Sequence, residues 1–215
     1  MKEKIIRLLE GTQRDGIGVL IEYMELNGFF SAPCSTGHHL ARTGGLAEHS
    51  LNVYECMNAL ADAFGEPAER DSSIVICSLL HDLGKMGQFG KECYIPNMLK
   101  GRATKANPNP EPYQSDKKPF TANPDLLYVD HEVRSIVIAQ MFIELTEEEQ
   151  QAILWHNGLY GPFKYQIQGK ETPLYMLLHF ADMWASRVIE MEESTDGWTN
   201  TYSGKAGGEE PAGRD

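Results

Sequence analysis

Apolar residues recur along most of this chain at three- and four-residue intervals, the spacing of helices that bury one stripe. Between Lys4 and Leu26 the positions Ile5, Leu8, Leu9, Leu20, Tyr23 and Met24 predict two helices with a break inside Gly11–Gly18. A loop follows, and Gly44-Gly45 precede a helix that carries Leu46, Val53, Met57 and Leu60. Pro67 suits the first turn of the next helix, whose stripe of Ile74, Val75, Ile76, Leu79 and Leu80 runs straight into His81-Asp82. The helical period resumes at His131 with Val133, Ile136, Val137, Met141 and Phe142. Thr146 and Glu149 form a capping box that opens a helix running to His156. Tyr165 and Ile167, ahead of Gly169, predict a short hairpin, and a last helix extends from Pro173 to about Glu190.

Residues 87–129 break this rhythm. Six of the eleven prolines fall there, several Asn accompany them, and only a hairpin of Tyr94-Ile95 with Leu127-Tyr128-Val129 is predicted. The Gly-rich, polar end of the chain predicts a flexible tail. The expected fold is therefore an all-α bundle: one domain over 1–192, a Pro/Asn-rich insertion at 87–129, and a tail at 193–215.

Charge narrows the function classes. With 19 Lys and Arg against 31 Asp and Glu, the net charge is −12, which argues against binding duplex nucleic acid or an anionic membrane. No apolar run approaches a signal peptide or a membrane span, so the cytoplasm is the expected compartment. The balance reverses locally: between 100 and 118 stand Lys100, Arg102, Lys105, Lys117 and Lys118 against Glu111 and Asp116, a stretch that reads as a solvated loop. Cys34, Cys56, Cys77 and Cys93 have no Cys-x-x-Cys spacing and read as reduced thiols.

The chemistry concentrates at helix ends, where His49, His81-Asp82, His131, His156 and Asp182 gather. Imidazole with carboxylate suits a divalent transition metal (Mn, Fe, Ni, Co or Zn) better than Mg or Ca. Consecutive ligands in mid-helix diverge by about 100°. His81 and Asp82 can both reach a metal only at a helix end, which Leu83-Gly84 supplies.

In that order, with GGLAEHSLNVYE, SLLHDLGK, AILWHNG and LLHFADMWAS around the ligands, the chain resembles the HD superfamily of metal-dependent phosphohydrolases. The likeness covers roughly residues 12–190, and the upstream SAPCSTGHHLARTGGLAEH is similar to short stand-alone bacterial and prophage HD hydrolases and to a 3′→5′ exoribonuclease branch. The resemblance implies a first metal on His49, His81, Asp82 and Asp182, and a second on His131 and His156 with Asp82 bridging. It implies two divalent ions and hydrolysis of a nucleotide or nucleotide-like phosphoester by a bridging hydroxide.

Lys85 lies four residues beyond His81 and Arg134 three beyond His131, so helical geometry sets each on its ligand's face as a phosphate binder, with Ser135 as a hydrogen-bonding candidate. The resemblance makes His38 and His39 candidates for a substrate-side wall, and Arg42 in the same loop is a candidate phosphate contact, although a structural loop role accounts for them as well. His179, Trp155 and Trp184 read as packing residues. The expected partner is a small phosphorylated substrate. Two alternatives stand beside it: a 3′→5′ exonuclease on single strands, and a non-catalytic nucleotide-binding module that keeps a structural metal.

Overall fold

The computed structural model describes residues 1–105, 107–158, 161 and 164–191. The predicted tail at 193–215 lies outside them. Among the described residues the chain is mostly helical with only short strands. Its helices are α1 (Lys2–Gly11), α2 (Ile17–Leu26), α3 (Gly45–Phe64), α4 (Asp71–Leu80), α5 (His131–Gln140), α6 (Glu147–Trp155), α7 (Lys164–Ile167) and α8 (Pro173–Trp184). Short 3-10 turns at Ala68–Arg70 and Leu83–Met86 flank α4, and a π turn over Ala185–Ile189 extends α8. No described helix is long and apolar enough to cross a membrane.

The apolar stripes meet in one cluster with members from α1 to α8, including Ile5, Leu20, Met57, Ile76, Leu80, Ile153 and Leu178. Helix α3 packs most extensively on α4 and α8, α6 lies on α8, and α5 lies on the Leu83–Met86 turn. Burial of these side chains at roughly 25 cal/mol per Å² of apolar surface is the main force holding the helices together.

Polar groups fix the joints. The Thr146 capping box forms as expected, with Thr146 Oγ1 accepting from the Glu149 amide and the Glu149 carboxylate accepting from the Thr146 amide. That buried carboxylate also takes the Arg14 guanidinium and, at 2.7 Å, the Ser73 hydroxyl, joining the α1–α2 connection, α4 and α6 at one point. Burial opposes its charge, yet Arg14, Ser73 and Thr146 hold its pKa below the usual range. The break between the first two helices is shorter than predicted, because Gly18 is already inside α2. Its essential residue is Gly16, at φ 83°, where a Cβ would stand 1.8 Å from the Phe142 carbonyl oxygen.

Two local predictions are corrected. Tyr94–Pro96 (β1) pairs antiparallel with Phe120–Ala122 (β4), not with 127–129, and Met98–Leu99 (β2) pairs with Tyr113–Gln114 (β3). Asn123 ends β4 by donating its side-chain amide to Glu92 O and accepting the Leu126 amide in a turn, so the next apolar residues never enter the ladder. Leu127 and Tyr128 are exposed. The Tyr165–Ile167 segment is the short helix α7 rather than a hairpin: Ile167 is buried in the core, and Gly169 at φ 77° stops the turn. Trp155 does pack against the core, whereas Trp184 is half exposed.

Candidate metal centre

The site forms where the ends of five helices converge. His49 stands in the first two turns of α3, His81 caps the C-terminus of α4, His131 opens α5 and His156 caps the C-terminus of α6. Asp182 comes from the last turn of α8. The last carbonyls of a helix lack intrahelical donors. His81 Nδ1 donates to Ser78 O at 2.9 Å and His156 Nδ1 donates to Ile153 O at 2.8 Å, so each ring satisfies its own helix end. These bonds fix the tautomer and leave both Nε2 lone pairs facing the cluster, the orientation a metal-ligating imidazole needs.

Asp82 divides the histidines into two sets. Its Oδ2 lies 3.5 Å from both His49 Nε2 and His81 Nε2, while its Oδ1 lies 3.2 Å from His131 Nε2 and 3.6 Å from His156 Nε2. His49 Nε2 and His81 Nε2 are 3.3 Å apart, and Asp182 Oδ1 is 3.2 Å from His49 Nε2. Burial works against charge at Asp82, but Lys85, His81 and His131 hold its carboxyl well below the usual range. At Asp182 the same opposition is won by His49, His156 and His81. Burial and neighbouring His81 push His156 down to about 3, so its ring is neutral near pH 7.

Three buried atoms at the centre have no hydrogen-bond partner among the described residues: Asp82 Oδ1, His131 Nε2 and Glu132 Oε2. Each such orphan costs about 1–3 kcal/mol. They do not lie at random. His49, His81 and Asp182 form one group able to hold a cation, His81, Asp82 and His156 a second, and His131, Glu132 and His156 a third, each with its ligand atoms within 4.8 Å. The donor set of imidazoles and carboxylates fits divalent transition metals, and a cation would satisfy the orphaned atoms.

The supporting shell includes residues absent from the sequence reading. Glu190 is buried, and both of its oxygens lie 3.0 Å from His49 Nδ1, with Asn52 donating to Oε1 at 2.9 Å. The π turn delivers it, through the Glu190 amide bonding Ala185 O at 2.9 Å, five residues back. The one sequence signal was an acid two turns beyond Asp182 on the same helix. Glu132 lies beside His131 and accepts from Asn157. Cys34 Sγ is 3.4 Å from His39 Nε2, and burial pushes the Cys34 thiol up to about 11.

A cavity of about 510 Å³ opens onto these groups, lined by His38, His39, Lys85, His156, Asp182 and Arg187 among others. Lys85 Nζ is 2.6 Å from Asp82 Oδ2; burial would discharge it, but Asp82 keeps its pKa well above the ordinary lysine value. His38 and His39 do stand on the wall, and burial with His49 nearby lowers His39 to about 4.

Three expected substrate-binding residues are not among those lining the cavity. Arg134 is buried and donates to Gln88 Oε1 at 3.0 Å and Leu127 O at 2.9 Å, so it ties the two ends of the insertion together. Ser135, fully buried, accepts the Gly84 amide at 2.8 Å and donates to His131 O at 2.7 Å, stapling the His81-Asp82 turn to α5. Arg42 is exposed and paired with Glu48 at 2.6 Å. The second cation on the cavity wall is Arg187 of the π turn. His179 also lines the cavity; its Nδ1 donates to His156 O at 2.8 Å, and its ring fills the space beside Gly158.

Comparison of the chain with protein-family models, with curated proteins and with solved structures returned no match to any of them.

Proposed function

We propose that this protein is a metal-dependent phosphohydrolase of the HD type, acting on a nucleotide or nucleotide-like phosphoester. One observation carries the reading: a single buried carboxylate, Asp82, turns one oxygen to His49 and His81 and the other to His131 and His156. In this reading His49, His81, Asp82 and Asp182 hold one divalent ion, while His131 and His156 share Asp82 for a second. Two such ions supply Lewis acidity and an activated water at neutral pH.

The chain's own groups do the rest. His81 and His156, locked by their Nδ1 bonds, present Nε2 to the cluster without rotamer search. Asp82 and Asp182 stay ionised, so no proton competes for their oxygens at neutral pH. Lys85, kept charged by Asp82 and lining the cavity, supports a role in holding a phosphoryl oxygen; Arg187, which lines the same cavity, supports a similar role. The cavity of about 510 Å³ suits one nucleotide-sized ligand.

The test combines metal analysis with turnover. Untreated protein should carry up to two transition-metal ions per chain. Protein loaded with Mn, Co, Ni or Zn should hydrolyse a generic phosphodiester, a monoester or a member of a nucleotide panel, and Asp82→Asn should abolish this. Fully loaded protein inert on every substrate, yet strongly destabilised by chelation, would replace the enzyme with a non-catalytic metal-containing module.

A further inference from the structure

Most cations of this chain are spoken for. Among the described residues Lys2 pairs with Glu25, Lys4 with Glu55, Arg14 with Glu149, Arg42 with Glu48, and Arg70 with Glu66 and Glu148. Lys85 pairs with Asp82, and Arg134 and Lys91 bond backbone carbonyls. The insertion is different. Lys100, Arg102, Lys105, Lys117 and Lys118 are exposed and make no ion pair or side-chain hydrogen bond among the described residues. A chain of net charge −12 offers many acidic partners, so five unpaired cations within nineteen residues set the insertion apart as a locally cationic face.

The fold brings that face to the cavity. The insertion forms a two-stranded ribbon, with β1 on β4 and β2 on β3, and Asn97 holds its bend through Pro119 O, Lys118 O and the Ser115 amide. Its base docks on the loop before α3, the Phe120 amide bonding Thr36 O at 3.1 Å. There Gly37 leaves room for Lys118: a Cβ on Gly37 would stand 3.1 Å from Lys118 Cγ and 3.2 Å from its Cα. The next residue, His38, lines the cavity. Lys118 therefore starts beside the cavity rim, Lys117 adjoins it, and Lys100, Arg102 and Lys105 lie toward the ribbon's far end.

We infer that the ribbon is a second anion subsite, with Lys117 and Lys118 binding a further phosphate of the substrate outside the cavity. The inference rests on the proposed phosphoester reading for the identity of the ligand. A cavity of about 510 Å³ takes one nucleotide, so the additional phosphate belongs either to a polyphosphate chain or to the next link of a single strand. Both present the same chemistry to a lysine.

Binding, not turnover, is the measurement, so that a catalytically inert protein still gives an answer. Fluorescence anisotropy follows a fluorescein-labelled, phosphorothioate-linked dT8 and a fluorescent nucleoside triphosphate, each titrated with the full chain across a salt series. Whichever probe binds names the source of the phosphate. The double substitution Lys117→Gln with Lys118→Gln should weaken that probe roughly tenfold at low salt and, for the oligonucleotide, reduce the slope of log K against log salt by about 1.4, two contacts at about 0.7 each. Both residues are exposed, so the melting temperature should not move. Lys2→Gln with Lys4→Gln controls for bulk charge. The inference is overturned if neither probe binds the natural chain, if the Lys117 and Lys118 variant binds as the natural chain does, or if the Lys2 and Lys4 variant loses as much. Salt-dependent binding without hydrolysis of any phosphoester would remove the enzyme reading and leave the subsite standing.

Discussion

Gly84 is the tightest point between the His81-Asp82 turn and α5. A Cβ there would lie 2.4 Å from His131 O, 2.9 Å from Arg134 Cβ and 3.0 Å from the Ser135 amide nitrogen. The nearest obstacle is backbone, so no rotamer change relieves it, and reaching ordinary contact at 3.4 Å needs about 1 Å of movement by α5. Gly84 does not have a positive φ, so Gly84→Ala carries no backbone strain. Overpacking of this kind costs about 1–3 kcal/mol. The smaller entropy of the unfolded alanine chain returns about 0.4–1 kcal/mol. Mid-range values leave a net loss of about 1.3 kcal/mol, which at about 2–4 °C per kcal/mol for a domain of this size is a fall of about 3–5 °C in melting temperature. The displaced carbonyl belongs to His131, whose Nε2 is 3.2 Å from Asp82 Oδ1, so the metal position that includes His131 should weaken before the other. Differential scanning fluorimetry reads the first effect, and metal stoichiometry by mass spectrometry the second. Gly18→Ala is the control: nothing lies within 4 Å of its Cβ and it is helical, so it should stabilise by about 0.4–1 kcal/mol. A Gly84→Ala protein as stable as the natural chain, with unchanged metal content, would refute the account of how α5 and the turn are joined.

Three further outcomes follow from the same geometry. Glu190→Gln should leave folding nearly intact but lower metal affinity about 10–100-fold, as loss of an outer partner to a ligating imidazole does, and calorimetric titration with Co²⁺ checks it. Glu149→Ala should cost about 3 kcal/mol, the low end for removing one partner of a buried ion pair because Arg14 keeps some solvent. In the natural chain Glu149's folded pKa is depressed, so its contribution is complete above the ordinary glutamate pKa and disappears as pH falls through the folded value. Denaturant melts of both proteins should therefore converge in acid. Chelation should lower the melting temperature, and restoring free metal to 100 times its dissociation constant should recover about 2.7 kcal/mol; a protein indifferent to chelator after confirmed metal loading would contradict the cation sites.

The helices and the ligand cluster were legible because both depend on short-range periodicity. The capping box at Thr146 and the stripe ending at His81 each announce a helix boundary, and a boundary is where side chains can converge. Lys85 was legible for the same reason, being one turn from His81. Arg134 shows where that reasoning stops: helical spacing sets it one turn from His131, but one turn is three or four residues, and a drift of about 60° sends it to Gln88 and Leu127 instead. Ser135 likewise faces the turn, not the cavity, because Gly84 brings that backbone within reach of its hydroxyl. The β1–β4 pairing was misread because alternation marks extended segments without naming their partners; Asn123 and its turn decided it. Glu190 was hidden by the π turn, whose extra residue no hydrophobic period records.

That extra residue has a consequence for how the centre tolerates length changes. A π turn holds one more residue than the α-helix that would replace it. Deleting one of Ala185–Ile189 would remove the bulge and leave the downstream register unchanged, whereas straightening the turn into an α-helix with all its residues kept would swing everything downstream by about 100°. Asp182 lies upstream and would not move, so every ligand would remain. Glu190 would turn away from His49. The angular setting of the end of α8 thus works as a tuning screw on the metal centre, with a step size of one residue.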